Sequence, residues 1–220
     1  MSKRKLEATR ANQARKAQAG RRTPSGYTKS RRGGTRVLLL VVGALVVVAA
    51  IAAFALTRGG DDAEAAFEDL KSAGTCTEQT LPEKGEGDHT QDPDEDVEYP
   101  TNPPTNGKHY AIPALWGIYD APVKDEIQVH NLEHGGVIVQ YGADVPAADV
   151  ARIREIVLGD RDYMMLAPRP SLGGDVTFTA WTHLVRCKGF EEDALETAKD
   201  RWRGKGPELV DPAAGRLPNY

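Results

Sequence analysis

The sequence predicts an α+β domain with a mainly antiparallel sheet and packed helices, preceded by a single transmembrane helix and a disordered basic tail. Three observations lead there. Residues 1–36 carry 12 Lys/Arg against one acid, Glu7, for a net charge of +11. Val37–Leu56 is a run of 20 residues with no charged or strongly polar side chain. Residues 57–220 carry 16 Lys/Arg against 31 Asp/Glu, for a net charge of −15, and their apolar residues recur at strand-like and helix-like spacings in turn. This split argues against a wholly soluble chain, a multi-pass transporter, a collagen and a cysteine-dense miniprotein.

The basic tail, residues 1–36, has almost no large apolar side chain beyond Leu6 and Tyr27. It cannot bury enough surface to offset chain entropy and is expected to be disordered. No aromatic-interleaved or helical recognition pattern accompanies its charge, so no nucleic-acid partner is expected. Its positive charge serves topology and attraction to anionic lipid headgroups.

Val37–Leu56 makes a helix about 30 Å long, the thickness of a hydrocarbon core. Thirteen of its residues are Leu, Ile, Val or Phe, and at roughly −0.3 to −0.6 kcal/mol each insertion gains on the order of 4–8 kcal/mol. Ala53-Phe54-Ala55 imitates a signal-peptidase site, but the run is longer than a signal peptide needs. An uncleaved anchor in the plasma membrane is the expectation. Arg31, Arg32 and Arg36 precede the span and Asp61, Asp62 and Glu64 follow it. The positive-inside rule puts the N-terminus in the cytoplasm and the acidic domain outside.

The outer domain is expected over 61–210, with a loose tail over 211–220. Asp61–Ser72 reads as a helix with Ala65, Ala66, Phe67 and Leu70 on its apolar side and Gly74 as a stop. Residues 82–122 hold seven prolines and 88–98 hold six acids, a composition suited to neither helix nor sheet. Ile127-Gln128-Val129 alternates like a strand, and Val137–Tyr141 is a β-branched run. Asp144 as a cap, Pro146, then Val150, Ile153 and Val157 describe a helix ended by Gly159. Tyr163–Ala167 and Val176–Cys187 read as strands. Phe190, Ala194, Ala198 and Trp202 recur every four residues, a helix closed by Gly204. Residues 204–220 read as loosely held. The resulting order, β-β-α-β-β-α, defines the fold class.

Cys76 and Cys187 are the only cysteines. In an oxidising compartment a structural bridge is the expected state, with a redox-active pair or two free thiols as alternatives. A bridge closing 111 residues of chain contributes roughly 4–5 kcal/mol as an upper figure.

The densest constellation is Val129-His130-Asn131-Leu132-Glu133-His134-Gly135-Gly136. His130 and His134 are an i,i+4 pair that one helical turn would place on one side. His109, in the preceding loop, is a third candidate, and Glu133 is a fourth ligand or an outer acceptor. Imidazoles suit Zn²⁺ or Cu²⁺ better than Ca²⁺ or Mg²⁺. The alternative is that these histidines are structural. His130–His134 also matches the H-x-x-E-H zinc-hydrolase signature. That signature belongs within a sustained helix, whereas here strand-like runs and Gly135-Gly136 flank it. A second cluster, Asn102-Pro103-Pro104-Thr105-Asn106-Gly107-Lys108-His109-Tyr110, is stiffened by prolines and turned by Asn106-Gly107. Asn102, Tyr110 and Trp116 are candidate pocket residues. Met164 and Met165, adjacent on a strand, face opposite ways and are expected in the core.

The Asn102-Pro103-Pro104-Thr105 block, Gly107, His109-Tyr110, Trp116-Gly117, Tyr119 and Val129–Val137 together resemble the bacterial family called domain of unknown function 3105. Ala180-Trp181 and Cys187 fit its later part, and Lys108 stands where the pattern often has proline. The resemblance covers roughly residues 60–210. It implies a single-pass membrane protein with the domain outside, and it carries over no catalytic residue. The expected function is therefore a membrane-anchored extracytoplasmic domain that binds a transition metal or small ligand through its histidines. A non-catalytic module that binds an envelope protein is the alternative, and a zinc hydrolase is the third.

Overall fold

The computed structural model describes residues 60–215. Hydrophobic alternation in Val137–Tyr141 dictates its centre. Val137 and Val139 face one side of a sheet and Ile138 the other, and all three are fully buried. A strand covered on both faces needs no polar alternation, which is why this one reads as a continuous apolar run.

Eight strands are present among the described residues: β1 Cys76–Thr80, β2 His89–Thr90, β3 His109–Tyr110, β4 Gly117–Ile118, β5 Val137–Tyr141, β6 Met164–Pro168, β7 Val176–Ala180 and β8 His183–Cys187. Four α-helices accompany them: α1 over residues 60–72, α2 Asp125–Glu133, α3 Ala147–Gly159 and α4 Glu192–Trp202. Six strands form one sheet in the order β1-β8-β7-β5-β6-β4. The pairs β1–β8, β8–β7 and β7–β5 are antiparallel, and β5–β6 and β6–β4 are parallel. The fold is thus α+β with a mainly antiparallel sheet. β2 and β3 form a separate parallel pair.

One face of the sheet packs Phe67 of α1, Ile153 and Val157 of α3, and Ala194, Leu195 and Ala198 of α4 against Val139, Met164, Leu166, Phe178 and Val185. The opposite face packs Val129 and Leu132 of α2 against Ile138, Met165 and Trp181. Met164 and Met165 fall on opposite faces, as adjacent strand residues must. The candidate site lies on the face that α2 covers.

Several local expectations are corrected. Ile127-Gln128-Val129 belongs to helix α2, not to a strand. Gln128, Val129, His130, Asn131, Leu132 and Glu133 are all buried, so no apolar stripe marks the helix and its period is hidden in the sequence. Val176–Cys187 is a hairpin, β7 and β8, rather than one strand. It turns at Trp181-Thr182 with Thr182 at φ 67°, a conformation the sequence does not advertise with Gly or Asn. Asp144 does not cap α3; Pro146 occupies that position without a side-chain bond, and Gly159 is the last helical residue.

Cys76 and Cys187 are bonded. Cys76 opens strand β1 and Cys187 closes strand β8. The two cysteines are register partners across β1 and β8, with Cα atoms 4.0 Å apart. Residues 204–215 are not loose. Gly204 donates to Gly135 O at 2.8 Å, Glu208 to Glu133 O at 3.1 Å and Trp116 to Gly215 O at 2.5 Å, while Tyr163 Oη donates to Val210 O at 2.6 Å.

The described residues belong to one compact unit. The basic tail 1–36 and the apolar run Val37–Leu56 lie outside the described residues. Among the described residues no helix is long and apolar enough to cross a membrane.

Candidate metal centre

Helix α2 supplies the first part of the site. Asp125 and Glu126 in its first turn favour the positive end of the helix dipole. The Arg169 guanidinium grips Asp125 at 2.5 and 2.9 Å and also donates to Asn102 Oδ1 at 2.7 Å. The helix ends as the sequence predicts. His134 N–H returns to His130 O, Gly136 N–H returns to Asn131 O, and Gly135 takes φ 84°, where a side chain would be strained. His130 and Glu133 lie one turn apart, with His134 at the cap.

The irregular stretch supplies the second part. Register in the β2–β3 pair sets His89 beside His109, with ring centroids 4.6 Å apart. His89 also stacks on His130 at 4.7 Å, and His130 meets His134 edge-on at 4.4 Å. Two polar clamps hold this stretch to α2. Asn131 exchanges two hydrogen bonds with the Ala114 backbone, at 2.8 and 2.9 Å. His130 Nδ1 contacts Tyr110 O at 2.7 Å.

Glu133 is the hub. Its side chain is fully buried, and burying a carboxylate costs several kcal/mol unless partners offset it. Gly87 N–H donates to Oε1 at 2.6 Å. His109 Nε2 lies 3.0 Å and His89 Nε2 3.3 Å from Oε2. Burial pushes the Glu133 carboxyl up, but the Gly87 N–H and the two imidazoles more than offset it, leaving it below the usual carboxylate range.

His109 is the most informative residue. It has no exposed surface. Its Nδ1 lies 2.7 Å from Gly107 O and its Nε2 faces Glu133 Oε2. Both neighbours only accept hydrogen bonds, yet a neutral imidazole carries one N–H. With Nδ1–H donated to the carbonyl, the Nε2 lone pair meets the carboxylate, and a cation must stand between them. That cation is a proton or a metal ion. His130 has the same anchor, Nδ1 on a backbone carbonyl, which leaves the Nε2 lone pair facing His134 Nε2 at 3.0 Å. Histidines that ligate metals characteristically donate their other N–H in this way.

The spacing suits an ion. Ligand atoms about 2.0–2.1 Å from a tetrahedral ion lie about 3.3 Å from each other. Two four-residue sets have ligand atoms within 4.8 Å of one another: His89, His109, His130 and Glu133, and His130, Glu133, His134 and Glu208. The cluster can therefore hold a metal ion. Burial pushes the His130 imidazole down to about 4, opposed by the Tyr110 carbonyl and helped by the neighbouring imidazoles. Burial also lowers His134, against the attraction of Glu208 and Glu133. Rings held neutral are competent ligands at neutral pH.

The structure thus brings His109, His130, Glu133 and His134 together, as their residue types and spacing suggest. It adds His89 and Glu208, which sequence reasoning missed. His89 follows a Gly-rich acidic stretch of sequence with no local pattern, and Glu208 lies in a segment expected to be loose. The H-x-x-E-H signature occupies the last turn of the nine-residue α2 and its cap rather than a sustained helix, although Ile127-Gln128-Val129 before it is helical, and both Glu133 oxygens are engaged. Asn102, Tyr110 and Trp116, the candidate pocket residues, make specific contacts of their own. A cleft of about 860 Å³ is lined by Leu81, Tyr99, Asn106, Gly107 and Lys108 among others, and a smaller one of about 280 Å³ lies against Trp181 and Trp202. The three candidates line neither. Asn102 accepts from Arg169, Tyr110 anchors His130 through its carbonyl, and Trp116 is buried against Tyr163 with ring centroids 5.8 Å apart.

Fold and site together define an α+β domain built around a buried His/Glu cluster. The family described as "Protein of unknown function (DUF3105)" matches residues 89–214, more than half of the chain, and the chain belongs to that family. The match begins at His89 and takes in the whole cluster. Among curated proteins and among solved structures, none matches the chain.

Proposed function

We propose that this protein is a plasma-membrane protein, anchored by Val37–Leu56 with its N-terminus in the cytoplasm, whose outer domain over 61–210 binds a transition-metal ion, Zn²⁺ or Cu²⁺. The membrane part of this reading rests on the 20-residue apolar run and the +11/−15 charge asymmetry across it, which make the lipid bilayer its first partner. The metal part rests on one observation above all: buried His109 lies between two acceptors, Gly107 O and Glu133 Oε2. A metal ion at Nε2 satisfies the imidazole and the carboxylate at once. Three imidazoles with one carboxylate favour Zn²⁺ or Cu²⁺ over the oxygen-seeking Ca²⁺ and Mg²⁺. Both cysteines are consumed in the disulfide, so no thiolate softens the site. No catalytic residue is assigned, and the engagement of both Glu133 oxygens favours ligation over a role as hydrolytic base.

The second reading places a proton where the ion would be, making His109–Glu133 a structural imidazolium–carboxylate pair in a module that binds an envelope protein. Titration of the tag-free full-length chain in detergent separates the two. The metal reading expects one tightly held Zn²⁺ or Cu²⁺, lost in His109→Ala and reduced by Glu133→Gln. A well-folded wild-type chain that takes up neither ion refutes it and leaves the structural pair.

A further inference from the structure

The two ligand sets share His130 and Glu133, and that sharing limits what the cluster can hold. Nδ1 of His130 is committed to Tyr110 O at 2.7 Å. Only Nε2 remains, and one lone pair binds one ion. Charge imposes the same limit. Glu133 is the one buried acid among the described residues, so two dications would share a single buried negative charge, a poor balance in a low-dielectric site.

The sets also differ in depth. Of the residues they do not share, the side chains of His109 and His89 are 0% and 29% exposed in one set, and those of His134 and Glu208 are 10% and 55% exposed in the other. Glu208 Oε2 lies 3.7 Å from His134 Nε2, which in turn lies 3.0 Å from His130 Nε2. The carboxylate is held there by its own backbone, because Glu208 N–H donates to Glu133 O. A chain of ligand atoms therefore runs from solvent to the buried hub.

We infer that the two sets are successive stations for one metal ion, an outer station completed by Glu208 and His134 that passes the ion to an inner station completed by His89 and His109, with the shared His130 Nε2 and Glu133 bound throughout. This rests on the reading of the cluster as a metal centre. The outer carboxylate attracts the hydrated cation, and His134 replaces part of its water. His130 and Glu133 then keep hold of the ion while His134 and Glu208 are exchanged for His89 and His109. No step leaves the ion without protein ligands, so the barrier to crossing the buried layer falls in both directions. The centre is built to exchange its ion rather than to retain it as a structural pin.

Zn²⁺ binding to the tag-free full-length chain in detergent tests this, with Glu208→Gln and His134→Ala compared against wild type. All three are expected to hold one Zn²⁺ per chain. In both variants, uptake and chelator-driven release should slow together by about tenfold or more, while the equilibrium affinity moves by less than about threefold. His109→Ala should instead lose affinity. Unchanged rates in both variants would show that ions pass by half-buried His89 and would overturn the relay. Two Zn²⁺ per wild-type chain, falling to one in His134→Ala, would replace it with two independent sites. Loss of binding in His134→Ala as severe as in His109→Ala would make His134 a resident ligand and also overturn it. A wild-type chain that binds no Zn²⁺ removes the metal centre itself, a result distinct from binding with unaltered rates.

Discussion

His130 ties the chemistry of the cluster to the stability of the fold. Burial, with the His134, His109 and His89 rings nearby, holds the metal-free imidazole at about 4, whereas an unburied histidine titrates near 6.5. As pH falls through 6.5 the unfolded chain takes up this proton and the folded chain does not until about 4. The unfolded state then binds more protons, so stability is lost as pH drops across that window. His134, also lowered, acts in the same sense. So does Glu133, whose lowered carboxyl keeps its charge in the fold after the unfolded chain has protonated. The opposing field comes from Glu208 and Glu133, which favour protonated His134. The urea midpoint of chelator-treated protein should therefore fall between pH 6.5 and 4, and His130→Asn should flatten that fall. A midpoint level across the window in wild type would show that the cluster accepts protons without strain.

At the scale of elements, the segment after α4 is the least expected feature and the most consequential. It approaches the end of α2 so closely that a Cβ on Gly206 would overlap the carbonyl oxygen of Glu133 and the amide nitrogen of Gly135. Gly206→Ala must push the segment away, loosening Gly204 and Glu208 from their backbone partners at a cost of about 1–3 kcal/mol. Gly159→Ala is the matched control. Its Cβ meets nothing within 4 Å, and it lies in helix α3, where alanine is favoured by roughly 0.5–1 kcal/mol. Equal urea midpoints for the two variants would mean that the segment is not held as described. Helix α2 is the converse case. Its residue types argue against it locally because Gln128, His130, Asn131 and Glu133 are polar and buried. Gln128 donates locally to Val123 O, but the partners of His130, Asn131 and Glu133 lie in other parts of the chain, so the helix is recognisable only once those partners are in place.

For the whole molecule, the proposed arrangement is a basic arm inside, an apolar span, and an acidic metal-binding domain outside. Protease added to intact spheroplasts should then reach epitopes beyond residue 60 and spare the basic arm. A protected C-terminal epitope would reverse the orientation, and a mature chain starting near Leu56 would remove the anchor. The Cys76–Cys187 bond is consistent with an oxidising compartment. It joins β1, a strand at the edge of the sheet, to β8, and so fastens that edge strand to the body of the domain.

Where neighbouring residues carry the information, the chain can be read directly. The helices at residues 60–72, Ala147–Gly159 and Glu192–Trp202 follow from apolar spacing, and Val137–Tyr141 follows from its β-branched run. The approach of His130 to Glu133 and His134 follows from helical geometry over three and four residues. Contacts that cross the chain leave no such trace. His89 reaches Glu133 from 44 residues away, and Arg169 holds Asp125 from the same distance. The hairpin at Trp181-Thr182 turns without a turn residue because the β7–β8 register imposes it. Local sequence encodes backbone preference and burial period. Which acceptor faces buried His109, and which exposed acid stands at the mouth of the cluster, is decided by packing between distant segments, where desolvation makes each missing partner costly.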